Sequence, residues 1–539
     1  MSRIAITSII GVLLWPTAVA QTDSPVRFAI SFASSARAEA VTGRVYVAIS
    51  RENSAGRPPI RQVGETGVPL FGHDVDALEP GEAAIIEAKD FGHPIQSLRD
   101  LPPGEYWVQA FVNVYTRFAR ADGKTVWLHM DQWEGQQWNR SPGNLFSEPA
   151  RIRIEPGSAA RPPITLVCDK VIPPVQVPAD TEHVKRIRFE SRILSEWWGH
   201  PIFIGATILL PKDYDKHPNA RFPINYIQGH FSTGAPGGFG RGQEFDTYWL
   251  ADNTPRFIYA TLQHPSPYYD DSYGVNSENN GPYGDAIMQE LVPAIEEKFR
   301  TIREPWARQL SGGSTGGWIA LAHQIFYPDF YGGTWASCPD SVDFRYHQIV
   351  NIYEDANAYW KEMDWMRVDR PTRRDPDGNI HAMMKDENWY ELAVGERSRS
   401  GGQWDIWEAT YGPVGPDGYP RRIWDKRTGV IDKTTAAYWK EHFDLRHILE
   451  TRWPTLGPKV AGKLHIYIGD DDTYYLDDAV HLLEESLKKA TNPSFDGEIV
   501  FQPGAPHCWG PRGAELTQKM TAYIERTAPA GADLRSWRY

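Results

Sequence analysis

The sequence predicts an α/β protein in which a mostly parallel sheet carries helices on both faces and follows a smaller β-rich domain. Two patterns support this prediction. From about residue 181 to residue 539, short apolar strands alternate with segments of helical periodicity, as in a parallel sheet with crossover helices. Between residues 21 and 168, period-2 runs are separated by turn residues, which is typical of a β-sandwich. Apolar residues form 41% of the chain, so a packed core is expected.

Residues 1–20 are predicted to be a signal peptide. Arg3 supplies the positive start, residues 4–15 are an apolar run too short to span a bilayer, and residues 18–20 form a small-x-small cleavage site. We therefore expect a periplasmic or secreted protein whose mature chain begins at Gln21. No later run reaches about 18 apolar residues, so no integral membrane segment is expected.

The segment 21–168 is predicted to be a β-sandwich-like domain, and a Pro-rich linker at 169–180 follows it. Its period-2 runs are 26–32, 43–49, 104–114 and 150–155. The tryptophans of this domain allow two interpretations. They could fill the sandwich and its interface, or form a sugar-stacking platform along residues 131–138. The candidate rings are Trp107, Trp127, Trp133 and Trp138.

The segment 181–539 is expected to contain the parallel sheet and its helices. The predicted strands are 203–210, 222–227, 256–262, 331–336, 463–468 and 497–501, and the predicted helices are 283–300, 317–326 and 513–526. The polar, Trp-rich stretch at about 340–457 breaks this alternation. We interpret it as an insertion over the sheet.

The strongest chemical signal is the G-x-S-x-G motif formed by Gly312, Ser314 and Gly316. An apolar strand precedes it and a helix-forming run follows, which is the context of a nucleophile elbow. In such a turn the serine is strained, and its flanking glycines leave room for the turn to close. The alternative is a plain glycine-rich turn before a helix.

A serine nucleophile needs a base and an acid that orients the base. His507 is the candidate base, because it lies on a loop between a late strand and a helix. Asp472 is the candidate acid after the strand ending at residue 468, with Asp470 as the fallback and Asp477 less favoured. The order Ser314, Asp472, His507 is that of α/β-hydrolases.

The oxyanion also needs two N–H donors. The expected donors are the backbone of Thr315 and the loop after strand 222–227, where His230 and Phe231 are alternatives. His230 could instead be an ordinary loop residue.

Three stretches, 207–214, 222–226 and 289–296, resemble the putative esterase family of α/β-hydrolases, which includes esterase D-like and feruloyl esterase-like enzymes. The resemblance covers about 180–338 and 458–525. It implies a cofactor-free serine esterase with the triad and the oxyanion region given above.

Two departures from that family matter. The insertion at about 340–457 is longer than usual, so the family's substrate preference does not transfer. Some tannase-like members carry a Cys beside the Ser and another beside the His; here Cys508 follows His507, but Thr315 follows Ser314. That disulfide is therefore absent, and a Cys338–Cys508 bridge is the conceivable substitute.

The sequence as a whole predicts a serine carboxylic ester hydrolase. Its expected substrate is a small-molecule or carbohydrate ester that carries an aromatic or sugar group. The alternatives are a serine peptidase of the prolyl-oligopeptidase type and a non-catalytic binding protein on a hydrolase scaffold. The net charge of −13 and the lack of a basic run argue against nucleic-acid binding. Cys168, Cys338 and Cys508 lack zinc-site spacing, so no metal is predicted. Oligomeric state is left open.

Overall fold

A computed structural model describes residues 26–539 except 131, 136, 156–161 and 243. The predicted signal peptide at 1–20 lies outside the described residues, as do two positions of the 131–138 strip. Among the helices that the structure describes, none combines the length and the apolar character needed to cross a membrane.

The N-terminal part is built from two sheets that share a core. In the smaller sheet, Phe28–Phe32 pairs with Ala84–Ile86 on one side and Ile164–Cys168 on the other. Val41–Ser50 and Gly104–Ala119 form the centre of the larger sheet. Apolar side chains of both sheets are buried against each other. The remaining strands of the larger sheet are Leu70–Leu78, Gly92–His93, Thr125–His129, Leu145–Phe146, Ala150–Ile154 and Lys170–Val171.

The second part contains an eight-stranded mixed sheet with the strand order of an α/β-hydrolase. In spatial order the strands are Val184–Glu190, Phe203–Leu209, Ile258–Gln263, Ile224–Gln228, Arg308–Gly313, Gly333–Ser337, Leu464–Gly469 and Glu498–Gln502. Only Phe203–Leu209 pairs antiparallel with both neighbours, and the other pairs are parallel. The predicted α/β-hydrolase fold is confirmed.

Helices lie between the strands of this sheet along the chain and after the last of them. They are Arg192–Trp198, Glu244–Trp249, Tyr283–Ala286, Val292–Lys298, Thr315–Phe326, Asp477–Lys488 and Gly513–Thr527. The helix predicted over 283–300 contains a π-helical segment, Ile287–Leu291, and ends at Lys298. Pro293 lies two positions after this segment and has no N–H to donate to a preceding carbonyl, so the regular α-helical hydrogen-bond ladder is interrupted there.

The insertion at about 340–457 contacts the first turn of Thr315–Phe326, where the Tyr411 ring packs against Trp318 at 5.0 Å. Its helices are Met384–Val394, Gln403–Tyr411, Lys433–Phe443 and Leu445–Val460, and its hairpins pair Trp360–Met363 with Met366–Asp369 and Pro371–Arg374 with Ile380–Met383. The buried Lys426 ammonium binds Glu391 at 2.5 Å and also Asp405, so these buried charges compensate one another.

The N-terminal sheet supports the insertion directly. Arg44 donates from Nε to the carbonyl of Ala393 at 3.3 Å, and the Tyr46 hydroxyl donates to the carbonyl of Val394 at 2.5 Å. Both residues lie on the strand Val41–Ser50, and both side chains are buried. The larger N-terminal sheet therefore fixes the C-terminal end of helix Met384–Val394.

Candidate active site

Ser314 occupies a sharp turn between the strand Arg308–Gly313 and the helix Thr315–Phe326. Its φ of 57° and ψ of −125° are strained for a residue with a side chain. Its N–H donates to the carbonyl of Ser337 on the neighbouring strand at 3.0 Å. The turn therefore places the Ser314 side chain at the carboxyl edge of the sheet, which is where α/β folds bind ligands.

Two glycines make this turn possible. A Cβ at Gly312 would lie 2.2 Å from the carbonyl oxygen of Gly316, and a Cβ at Gly316 would lie 2.1 Å from the carbonyl oxygen of Gln228. Both contacts are with backbone, which cannot move aside as a flexible side chain can. The motif is thus required by the close approach of the elbow to the strand Ile224–Gln228.

Replacing Gly316 with alanine is expected to lower the free energy of unfolding by about 1–3 kcal/mol, and to reduce ester hydrolysis because the elbow must shift. Urea unfolding and kcat measured on the same preparation check both effects. Gly64→Ala is the matched control, since a Cβ there meets nothing within 4 Å. Equal stability and activity for the two variants would contradict the assigned geometry of the turn.

Asp472 and His507 are in direct contact. The Asp472 side chain is fully buried, and its Oδ2 accepts a hydrogen bond from His507 Nδ1 at 2.7 Å. Asp472 Oδ1 accepts from the backbone N–H groups of Tyr474 at 2.9 Å and Leu476 at 3.4 Å. With Nδ1 carrying the proton toward Asp472, Nε2 of the neutral ring is left as the basic atom.

The other two candidate acids have different partners. The Asp470 side chain is 39% exposed and lies 3.9 Å from His481. Asp477 lies 3.5 Å from Arg374, and burial raises the pKa of its carboxyl to about 7. Of the three candidate acids, Asp472 is the one whose carboxylate contacts the His507 imidazole.

The charged form of His507 is stabilised by its surroundings. Burial, the largest single influence, lowers the pKa of the imidazole, but the hydrogen bonds and charges of Asp472 and Cys508 together raise it by more. The net result is a pKa of His507 well above its ordinary value. Reciprocally, the hydrogen bond with Cys338 and the neighbouring imidazole lower the pKa of the Cys508 thiol.

This raised pKa sets the expected pH dependence of the reaction. The base must be unprotonated at Nε2, and a raised pKa keeps the proton bound to higher pH. The profile of kcat/KM is therefore expected to rise through a midpoint well above about 6.5, the ordinary histidine value. Steady-state kinetics across the pH range of stability measure this midpoint. A midpoint at or below the ordinary value would contradict the stabilising role of Asp472.

Ser314 is held by an acid that the sequence interpretation missed. Ser314 Oγ donates to Asp340 Oδ1 at 3.4 Å, and over the described part of the chain no hydrogen bond joins Ser314 to His507. Asp340 Oδ2 accepts from the Tyr273 hydroxyl at 2.7 Å and the Thr315 hydroxyl at 3.0 Å. Asp340 follows the strand beside the elbow strand, and that position was the signal that could have found it.

The predicted oxyanion residues lie beside the elbow. Thr315 is the first helical residue, so its N–H has no partner within the helix. Its hydroxyl lies 3.4 Å from Nε2 of His230, which is on the loop after Ile224–Gln228. The next residue, Phe231, packs edge-on against Trp133 at a ring distance of 5.0 Å. The N-terminal domain thus braces the loop on which the second donor is expected.

Ser314 and His507 both line one cavity of about 520 Å³. All three parts of the chain contribute to its wall. The N-terminal domain supplies Glu65 and Trp138, and the insertion supplies Arg373, Glu387, Tyr390, Glu391, Gln403, Trp404 and Trp407. Loops that follow strands of the eight-stranded sheet add His230, Asp340, Tyr474 and Leu476. The cavity therefore combines aromatic rings with several acidic groups around the strained serine.

An ion-pair bridge joins the N-terminal domain to the insertion at this wall. Arg373 pairs with Glu65 and, through Nε, with Glu387 at 3.2 Å. Trp138 packs edge-on against Phe111 at a ring distance of 5.4 Å and also borders the cavity. Trp138 therefore both packs in the domain interior and lines the cavity.

Comparison with known proteins gives a family and several similar structures. Residues 203–403 match the model of the Esterase family, described as "Putative esterase". A ferulic acid esterase is 16% identical, with 64% of this chain and 98% of that chain covered and a TM-score of 0.34. An S-formylglutathione hydrolase from Agrobacterium tumefaciens is 12% identical, with coverages of 64% and 95% and a TM-score of 0.35. FphF, a fluorophosphonate-binding serine hydrolase of Staphylococcus aureus, is 11% identical, with coverages of 63% and 98% and a TM-score of 0.35. No curated protein matches the sequence.

Proposed function

We propose that this chain, a carboxylic ester hydrolase whose residues 203–403 match the putative esterase family model, acts through a triad of Ser314, Asp472 and His507. The observation that carries this proposal is the 2.7 Å hydrogen bond from His507 Nδ1 to the buried Asp472, on the wall of the cavity that also holds the strained Ser314. Catalytic hydrogen bonds are often incomplete without substrate, so Ser314 is expected to turn from Asp340 toward Nε2 when an ester binds.

The proposed reaction has two halves. His507 Nε2 accepts the Ser314 proton while Oγ attacks the ester carbonyl, and the imidazolium then gives that proton to the departing alcohol oxygen. This leaves an acyl group on Ser314. Water then attacks the acyl carbonyl as Nε2 takes its proton, and collapse of the intermediate returns that proton to Oγ and releases the carboxylic acid. Asp472 stabilises the imidazolium in both halves.

The tetrahedral intermediates carry a negative charge that needs donors. We assign these donors to the Thr315 N–H and to an N–H of the His230–Phe231 segment, which lie on the two backbone stretches that meet at Gly316. Tyr273 and Thr315 donate to Asp340, so the carboxylate nearest the nucleophile is already compensated by hydrogen bonds. In the resting enzyme Asp340 orients the Ser314 hydroxyl.

The substrate is proposed to be an aromatic or sugar-bearing ester. Trp138, Tyr390, Trp404 and Trp407 supply flat surfaces on which a ring can stack, and the acidic groups of the wall can accept hydrogen bonds from hydroxyls. The two N-terminal sheets are proposed to act as a sandwich-like domain that completes this wall. Export to the periplasm or the medium remains a proposal from the N-terminal sequence.

A substrate panel tests the activity and its preference together. Methyl ferulate, a sugar acetate, p-nitrophenyl acetate and an aminoacyl anilide are compared by kcat/KM. We expect the enzyme to hydrolyse the esters and to leave the anilide intact. After correction for leaving-group reactivity, kcat/KM should be higher for the aromatic and sugar-bearing esters than for p-nitrophenyl acetate. Preferred cleavage of the anilide would instead indicate a peptidase of the prolyl-oligopeptidase type.

A further inference from the structure

Two cysteines lie beside the imidazole of His507. One ligand atom from each of Cys338, His507 and Cys508 lies within 4.8 Å of the other two. Cys338 Sγ is 3.9 Å from His507 Nε2. Two ligands bound to one tetrahedral zinc ion, a thiolate at about 2.3 Å and an imidazole nitrogen at about 2.1 Å, lie roughly 3.6 Å apart. We propose that these three residues form an inhibitory site for a thiophilic cation of the Zn²⁺ class.

The surroundings of His507 match those of a metal-binding histidine. Such a histidine almost always donates its second ring N–H to a carboxylate or carbonyl, which fixes the tautomer and leaves the other nitrogen for the metal. His507 does this through Nδ1, which donates to Asp472 at 2.7 Å. The arrangement that prepares Nε2 to accept a proton therefore also prepares it to bind a cation.

Both cysteines are held in place by an unusual backbone. Cys338 has a φ of 40° and Cys508 a φ of 61°, in the left-handed region that non-glycine residues rarely occupy. Cys338 is fully buried, and its N–H donates to the carbonyl of Tyr467 at 2.6 Å. All three cysteines of the chain are free thiols in this structure. The two sulfurs near His507 are therefore available as ligands without a rearrangement of the sheet.

A cation can reach the Cys508 thiol without entering the substrate cavity. Cys508 lines a second cavity of about 800 Å³, together with Gly313, Ser337, Trp335 and Phe245. This second cavity shares no lining residue with the one that holds Ser314 and His507. An entry path of this kind is one requirement for a functional metal site.

Binding of the cation would stop the reaction. The lone pair on Nε2 that takes the Ser314 proton would be donated to the metal instead, and the site would need both thiols deprotonated. Removal of the cation by a chelator returns the lone pair, so the inhibition is reversible. Hard cations such as Mg²⁺ and Ca²⁺ prefer oxygen ligands and are expected to leave the enzyme active.

The first test titrates Zn²⁺ into chelator-treated, reduced enzyme during ester hydrolysis. We expect inhibition that EDTA reverses and that Mg²⁺ does not reproduce. Cys338→Ser and Cys508→Ser are each expected to raise the half-inhibitory Zn²⁺ concentration by at least about tenfold relative to the wild-type chain, since even outer-shell partners of a metal change affinity by 10–100-fold. Cys168→Ala is the control, because Cys168 lies in the N-terminal core, and its inhibition should be unchanged.

The second test does not depend on catalysis. Co²⁺ added to the Ser314→Ala protein is expected to show a thiolate-to-cobalt charge-transfer band and the visible bands of a tetrahedral ion, and both should be lost in Cys338→Ser. The cobalt spectrum does not depend on whether Ser314 is the nucleophile. The metal site and the catalytic triad are therefore tested independently of each other. Zn²⁺ inhibition that is unaffected in both Cys variants, or a Cys338–Cys508 disulfide peptide in unreduced protein, would overturn the site.

Discussion

Replacing Ser314 with alanine is expected to lower kcat for ester hydrolysis by about four to six orders of magnitude. The variant retains the cavity and the oxyanion region but lacks the oxygen that forms the acyl-enzyme. Substrate binding should change little, so the loss should be in kcat rather than in KM. Steady-state kinetics, with thermal unfolding to verify the fold, measure the effect.

Ser311→Ala provides the comparison for this variant. Ser311 lies three positions earlier, is buried in the strand before the elbow, and does not line the cavity. Its replacement should leave kcat within about an order of magnitude, because surface and non-site substitutions act mainly through stability. If Ser314→Ala kept a tenth or more of the activity, the nucleophile would have to be another residue.

Asp472→Asn is expected to lower kcat by about three to four orders of magnitude. The amide is nearly the same size as the carboxylate, but it carries no charge and can donate a hydrogen bond to Nδ1. The imidazole would then present its N–H rather than its lone pair to Ser314. The rate on an activated ester, followed with pH, checks this expectation, and the rise of the profile should move toward lower pH.

Asp470→Asn is the matched control, since Asp470 lies two positions away and is 39% exposed. Its activity should stay close to that of the unmodified enzyme. If Asp470→Asn lost more activity than Asp472→Asn, the hydrogen bond between Asp472 and His507 would not be the catalytic one. Higher activity in Asp472→Glu than in Asp472→Asn would further indicate that the negative charge at this position matters.

The elbow and the order of the candidate residues could be predicted from the sequence because the chemistry there is local. Gly312 and Gly316 flank Ser314 within five positions, and a strand and a helix with clear periodicity lie on either side. Asp472 and His507 each follow a strand, so their placement at one edge of the sheet follows from the parallel topology. The contact between Asp472 and His507 could therefore be predicted from the strand order and from the short loops that carry the two residues.

The rest of the site depends on contacts that no local pattern records. Asp340 reaches Ser314 because the chain turns back immediately after Gly333–Ser337, and its partner Tyr273 comes from a distant loop. Glu65 and Trp138 enter the cavity only because the N-terminal sheet packs against the insertion. Cys338 and Cys508 follow two strands, Gly333–Ser337 and Glu498–Gln502, that lie close together in the sheet but far apart in the sequence. The sequence spacing of the two cysteines therefore does not indicate a ligand set.

The central claim is that Ser314 is the nucleophile whose Oγ forms the covalent acyl-enzyme. A fluorophosphonate probe, which reacts with such a serine, tests this claim most directly. Labelled protein is digested, and the modified peptide is identified by mass spectrometry. The account predicts one phosphonylated residue, Ser314, with labelling abolished in Ser314→Ala and slowed in Asp472→Asn. Labelling of a different residue, or continued ester hydrolysis by fully labelled Ser314 protein, would contradict it.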